Sequence, residues 1–141
     1  MNITENWLIP CNINKFNVIE HFERNNLVVW KNSFSMHKGD YAYIYLGRPY
    51  CEIRYKCKVV SEDVSEELLR ENEYARVEQL NNNYFSKKVK YVQLELLDSI
   101  MPGALPYSDL KKNGLGQVQI QARIDARLLA FINEREQQLC Q

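Results

Sequence analysis

Positions 30–60 bring together side chains suited to holding a flat, polar heterocycle. Trp30 stands before a short loop that Asn32 and Ser33 open. Lys38-Gly39-Asp40 then turns the chain into Tyr41, Tyr43 and Tyr45, one ring at every second residue. Aromatic rings offer π faces, and small polar side chains offer hydrogen bonds to a ring edge. This is the equipment of a binding site more than of a catalytic one. The only histidines are His21 and His37. There is no glycine-rich phosphate loop and no His-Glu-x-x-His pair. No catalytic residue, metal site or cofactor is therefore expected.

Each ring and polar group has a structural alternative. Asn32 and Ser33 either meet a ligand edge or perform turn chemistry. Of the tyrosines, Tyr45 and the turn residue Tyr50 lie nearest the end of the strand, where a pocket can open. Tyr50 is a candidate wall there, or a surface tyrosine. Tyr107 is a lid, or packs on the core at a helix start. Lys38, Arg48, Arg54, Lys56, Lys58, Lys87, Lys88 and Lys90 are candidates for a phosphate-holding patch. The ordinary reading of such alternating charges is a solvated strand face.

Length and composition bound the fold. A chain of 141 residues reads as one domain over 1–141 and is long enough to bury a core without staples. The 18 basic and 18 acidic residues cancel, so any attraction for nucleic acid must come from a local patch. No apolar run is long enough to span a membrane. The start, MNITENWLIPC, lacks the plan of a secretion signal, which predicts a cytoplasmic protein. Cys11, Cys51, Cys57 and Cys140 form no close metal-binding pair and are expected as free thiols, mostly buried.

The elements that must position these residues follow from periodicity. A first strand covers 7–11. A helix covers 15–25, with Asn14 as its cap and Phe16, Ile19 and Phe22 on one face. Short apolar 27–30 leads to the polar loop. Strands follow at 41–46 and 51–60. In the second, Cys51, Ile53, Tyr55, Cys57 and Val59 share one face, and the charged residues form an outer one. A helix from about 64 to 80 is the least determined element. A strand covers 89–98, a short helix 107–113 ends at Gly114, an extended segment covers 118–124, and a helix runs from 125 to about 138. The order predicts an α+β fold around a curled antiparallel sheet or small barrel flanked by helices.

The ordered series NWLIPCN, Trp30, KGDYAYIYLGRP, CEIRYKCKVV and LPYSDLKKNGL…QIQARID resembles the EVE domain of the PUA-like superfamily, which is related to the YTH readers of methylated RNA. The resemblance covers nearly the whole chain. Residues 61–88 depart from the compact pattern. It implies a nucleic-acid-binding module, for DNA or RNA, that takes a modified or flipped base into an aromatic cage. It makes Trp30 the first cage wall and aligns Gln121 and Arg123 with a late arginine segment, which implies that Arg123 reaches a phosphate or the pocket; an ion pair with Asp125 or Glu134 is the plain alternative. It further implies a sensor in a modification-dependent restriction system, whose nuclease would be a partner chain or a fused domain. Two rivals stay open: an enzyme acting on a nucleotide or small molecule, and a protein-interaction module whose exposed aromatics are interface anchors.

Overall fold

The computed structural model describes residues 3–64 and 90–139. Its elements run β1 (Asn6–Cys11), α1 (Val18–Arg24), β2 (Leu27–Lys31), β3 (Tyr41–Leu46), β4 (Glu52–Ser61), β5 (Tyr91–Ser99), α2 (Tyr107–Lys112), β6 (Ala122–Arg123) and α3 (Ala126–Leu139). The fold is α+β, as the sequence predicts. The helix expected at 64–80 lies outside the described residues, as do Lys87, Lys88 and Cys140. Among the described residues no helix is long and apolar enough to cross a membrane.

The six strands form one sheet in the order β2-β5-β4-β3-β1-β6. Its pairs are antiparallel except one: β1 runs parallel to β3, from Asn6 opposite Tyr41 to Cys11 opposite Leu46. The sheet curls until its two ends meet. Gln121, just before β6, donates its side-chain N–H to the Lys31 carbonyl (2.6 Å) and accepts from the Ser33 N–H (2.9 Å). Both ends of a buried amide are thereby satisfied, which a buried polar group requires.

Strand β3 is buried on both faces. Ala42, Ile44 and Leu46 join Trp7, Ile9, Cys11, Trp30, Cys57 and Val59 in one core, with Phe16 and Val18 from the α1 side. Tyr43 and Tyr45 join Leu8, Ile53, Leu110, Leu128 and Ile132 in a second core, beneath α2 and α3. A register shift at Ile44/Tyr45 sets Ile44 opposite Tyr55 but Tyr45 opposite Ile53. One residue is thereby skipped on β4, and the parity of its side chains inverts. The single face predicted for Cys51 through Val59 is corrected accordingly: Ile53 packs with the tyrosines, and Tyr55, Cys57 and Val59 pack on the other side.

Other boundaries moved for local reasons. The cap of α1 is Asn17, whose side chain accepts from the Glu20 N–H, not Asn14. Asn14 instead donates its backbone N–H to Asn12 in a turn. The extended 118–124 segment contracts to two paired residues in β6. Helix α3 opens where the Asp125 carboxylate accepts from the Leu128 N–H. The thiols of Cys11 and Cys57 are pushed up to about 12 by burial.

The Lys-Gly-Asp turn is an anchor. Gly39 sits at φ +97, a conformation that favours glycine. Asp40 is 3% exposed, and its carboxylate accepts from three donors: the Glu5 N–H (3.0 Å), the Trp7 indole N–H (3.0 Å) and the His37 N–H (2.9 Å). It holds the start of β1 against the start of β3. Asp40→Ala orphans all three donors, and urea unfolding should show a loss of about 3 kcal/mol. A loss below about 0.5 kcal/mol would contradict this role.

Candidate functional site

The parallel β1–β3 pair ends with Pro10 opposite Tyr45 and Cys11 opposite Leu46. Past these residues the two strands turn away in different directions. Between them opens a cleft of about 670 Å³, lined by Pro10, Cys11, Asn12 and Asn14, by Tyr45, Gly47, Arg48 and Cys51, and by Tyr107, Val118 and Gln119. That volume lies in the ~300–1,000 Å³ range of small-ligand sites.

Tyr45 and Tyr107 form the aromatic wall. Their ring centroids are 6.5 Å apart and the planes meet at 70°, an edge-to-face pair. Tyr45 comes from β3 and is held from behind by the second core. Tyr107 opens α2, and its backbone N–H donates to the Cys51 carbonyl (2.9 Å). Lys111, one helical turn on, lies 5.6 Å from the Tyr107 ring centroid and donates to its hydroxyl (3.3 Å). Burial pushes the Tyr45 phenol up from its ordinary 10 to about 12, and the neighbouring Cys51 thiol adds to this. Tyr45 is therefore a neutral hydroxyl at physiological pH.

The rest of the wall is polar. Asn12, Asn14 and Gln119 carry amides, which present donors and acceptors to a heterocycle edge. Arg48 is an exposed cation. The turn that carries it contains a cis Arg48–Pro49 peptide, and Cys51 stands at φ +52. Left-handed backbone is uncommon outside glycine and concentrates at functional sites.

Of the residues singled out in the sequence, Tyr45, Tyr107 and Arg48 meet in this cleft. None of the other described candidates lines it. Trp30 as a cage wall is corrected: its indole is 1% exposed, packs edge-on to Phe16 at 5.9 Å, and does not line this cleft. Asn32 is also corrected, because its amide pairs with the backbone of Met36 on both sides, at 3.1 and 3.0 Å. Ser33 gives its backbone N–H to Gln121. Tyr50 is exposed beside the cleft but does not line it.

Among the described phosphate candidates, Lys38, Lys56 and Arg123 each have separate neighbours, and none lines the cleft with Arg48. Lys56 is corrected from an outer-face cation to a tertiary lock. It lies 5.3 Å and 5.8 Å from the Tyr41 and Tyr43 ring centroids and 3.8 Å from the Glu136 carboxylate on α3. Burial pushes that carboxyl up, and Lys56 opposes the rise. Arg123 lies 5.4 Å from the Trp7 ring on β1. Lys38 is exposed beside His37 and Glu62, away from the cleft. Of the cleft residues, Asn12, Asn14, Cys51, Val118, Gln119 and the adjacent Lys111 escaped the sequence reading. The one available signal was the run of glutamines at 117, 119 and 121.

A second hollow, lined by Phe34, His37, Glu62, Lys90 and Tyr91 among others, borders the undescribed stretch. There His37 Nδ1 meets Glu62 at 3.0 Å. The Lys38 N–H, with His37, holds the Glu62 carboxyl below its usual range. Among the described residues no cluster of three His, Cys, Asp or Glu side chains could hold a metal ion.

No family model matches the chain, and no curated protein matches it. Solved structures do resemble it. A Leishmania major protein of hypothetical status superposes with a TM-score of 0.66 at 15% identity, covering 97% of this chain and 98% of that one. The ASCH protein from Zymomonas mobilis gives 0.63 at 17% identity, over 92% and 94% of the two chains. Human THYN1, solved in complex with DNA containing 5-methylcytosine, gives 0.64 at 13% identity, over 94% and 98%. Such likenesses establish a shared fold, the PUA-like one expected from the sequence.

The buried phenol has a measurable consequence. Its pKa lies above that of the unfolded chain, so its contribution to stability is complete below pH 10. That contribution is lost as pH rises towards 12, where the unfolded chain ionises first. The stability of Tyr45→Phe, measured by denaturant unfolding at a series of pH values, should therefore fall less steeply with pH than that of wild type between these values. Identical slopes would contradict the burial described.

Proposed function

We propose that this chain is a nucleic-acid-binding module of EVE type that holds a single base in the cleft between the β1 and β3 ends. The expected ligand is a modified cytosine in DNA. The carrying observation is the cleft itself: two tyrosine rings, three side-chain amides and an exposed arginine around a space of small-ligand size.

Each part has a role in that reading. Tyr107, backed by Tyr45 (4% exposed), gives the base π contact, worth about 1–3 kcal/mol per stacked base. Asn12, Asn14 and Gln119 meet the hydrogen-bonding edge that Watson–Crick pairing would otherwise occupy, so the base must be unpaired or extruded. Pro10 and Val118 offer apolar contact to a methyl group, which adds only about 1–3 kcal/mol of discrimination. Arg48, with Lys111 nearby, meets the phosphate. The shared fold with THYN1, solved with 5-methylcytosine DNA, supports the ligand class. On this reading the domain recognises and does not cut; a restriction system built on it would take its nuclease from a partner chain or a fused domain.

The test is a binding panel of oligonucleotides carrying cytosine, 5-methylcytosine, 5-hydroxymethylcytosine or N6-methyladenine, single- and double-stranded, at two salt concentrations. Wild type should prefer a modified cytosine. Tyr107→Ala should weaken that binding by about 10- to 100-fold. Arg48→Ala should weaken all sequences alike and reduce the salt slope by about 1. Equal affinity of wild type and Tyr107→Ala for every oligonucleotide would refute the cleft as the site.

A further inference from the structure

Tyr50 belongs to the turn that forms one side of the cleft, yet it does not line the cleft. Its backbone N–H and that of Cys51 both donate to the Gly47 carbonyl, at 3.1 and 3.4 Å, which closes the turn. Gly47, Arg48 and Cys51 of this turn line the cleft, whereas Tyr50 stands outside with 40% of its surface exposed.

The ring is braced. The Arg54 guanidinium lies 5.2 Å from its centroid. Arg54 is fixed in turn by Glu52, to whose Oε2 it presents both Nε and a terminal nitrogen at 2.6 Å. Glu52 is 6% exposed, and its Oε1 accepts from the Gly103 N–H at 2.9 Å. A chain of contacts thus runs from the backbone at 103 through Glu52 and Arg54 to the phenol ring. The Arg54 charge is matched by Glu52, so the guanidinium serves as a rigid floor rather than a spare cation. A ring already fixed on one face gives up little freedom when something stacks on the other. The neighbouring Arg48 supplies the exposed positive charge.

We infer that Tyr50 is a stacking platform for the base adjacent to the one held in the cleft, so that the ligand is an unpaired strand of at least two nucleotides rather than an isolated nucleotide. This rests on the base-binding reading of the cleft. It adds a second subsite and fixes the ligand as a strand.

The experiment compares 5-methyl-deoxycytidine monophosphate with a trinucleotide carrying 5-methylcytosine at its centre, by calorimetry, for wild type, Tyr50→Ala and Tyr50→Trp. Wild type should bind the trinucleotide about tenfold or more tightly than the mononucleotide. Tyr50→Ala should lose that advantage and keep the mononucleotide affinity, and Tyr50→Trp should retain the advantage. The platform is overturned if Tyr50→Ala binds the trinucleotide like wild type, or if it loses both ligands equally. If wild type binds neither probe, the base-binding cleft itself fails and takes the platform with it.

Discussion

The parallel pairing of β1 with β3 is the constraint on which the remaining geometry depends. Antiparallel neighbours end at opposite edges of a sheet and are often joined by a tight turn. Parallel neighbours end at the same edge and must each leave by a separate route. Here the chain leaves β1 through Asn12 and α1, and leaves β3 through the Gly47–Cys51 turn. Where two strands part at one edge of a sheet, space is left between them, as at the switch points of open α/β sheets. The side chains around that space come from four separate stretches, near residues 10, 47, 107 and 118. Asp40 fixes the register by tying Glu5 and Trp7 of the β1 side to the first turn of β3. Gln121 holds the curl closed from the other direction.

Two-sided burial of β3 determines which aromatic groups are free to act. Its even-numbered residues are small or aliphatic and fill the core shared with Trp30. Its tyrosines lie under α2 and α3, and of these only Tyr45 reaches the end of the strand where the cover stops. A phenol embedded in the core and bordering a cleft with the little surface it exposes is rigid, neutral and positioned by the core itself. Lys56 illustrates the opposite outcome. Between two tyrosine rings and the Glu136 carboxylate, it fastens α3 to the sheet instead of greeting a ligand.

Much of this was legible in the residues. The alternation in YAYIYL, the Lys-Gly-Asp turn, the stop at Gly114 and the closing helix all follow from local propensity, and the α+β class follows from their order. The choice of partners was not legible. Nothing in the NWLIPC pattern says that it pairs with β3, or that the pairing is parallel, because pairing is decided by contacts distant in sequence. The bulge at Ile44/Tyr45 inverted one strand without a glycine or proline to mark it. Trp30 was misplaced because a tryptophan before a polar loop looks the same in sequence whether its indole faces inward or outward. Tyr45, Tyr107 and Arg48 were found because aromatic and basic residues near strand or helix ends are visible as such. Asn12 and Gln119 were missed because a surface amide carries no local signal, and only the fold brings the two together.

The most direct test of the base-binding cleft is a nuclear magnetic resonance titration of the protein with 5-methyl-deoxycytidine monophosphate, following side-chain amides and the tryptophan indoles. The account predicts shifts concentrated at the Asn12, Asn14 and Gln119 amides, with the Trp30 indole and the Asn32 amide unmoved. Shifts centred on Trp30 and Asn32, or none at all, would contradict it.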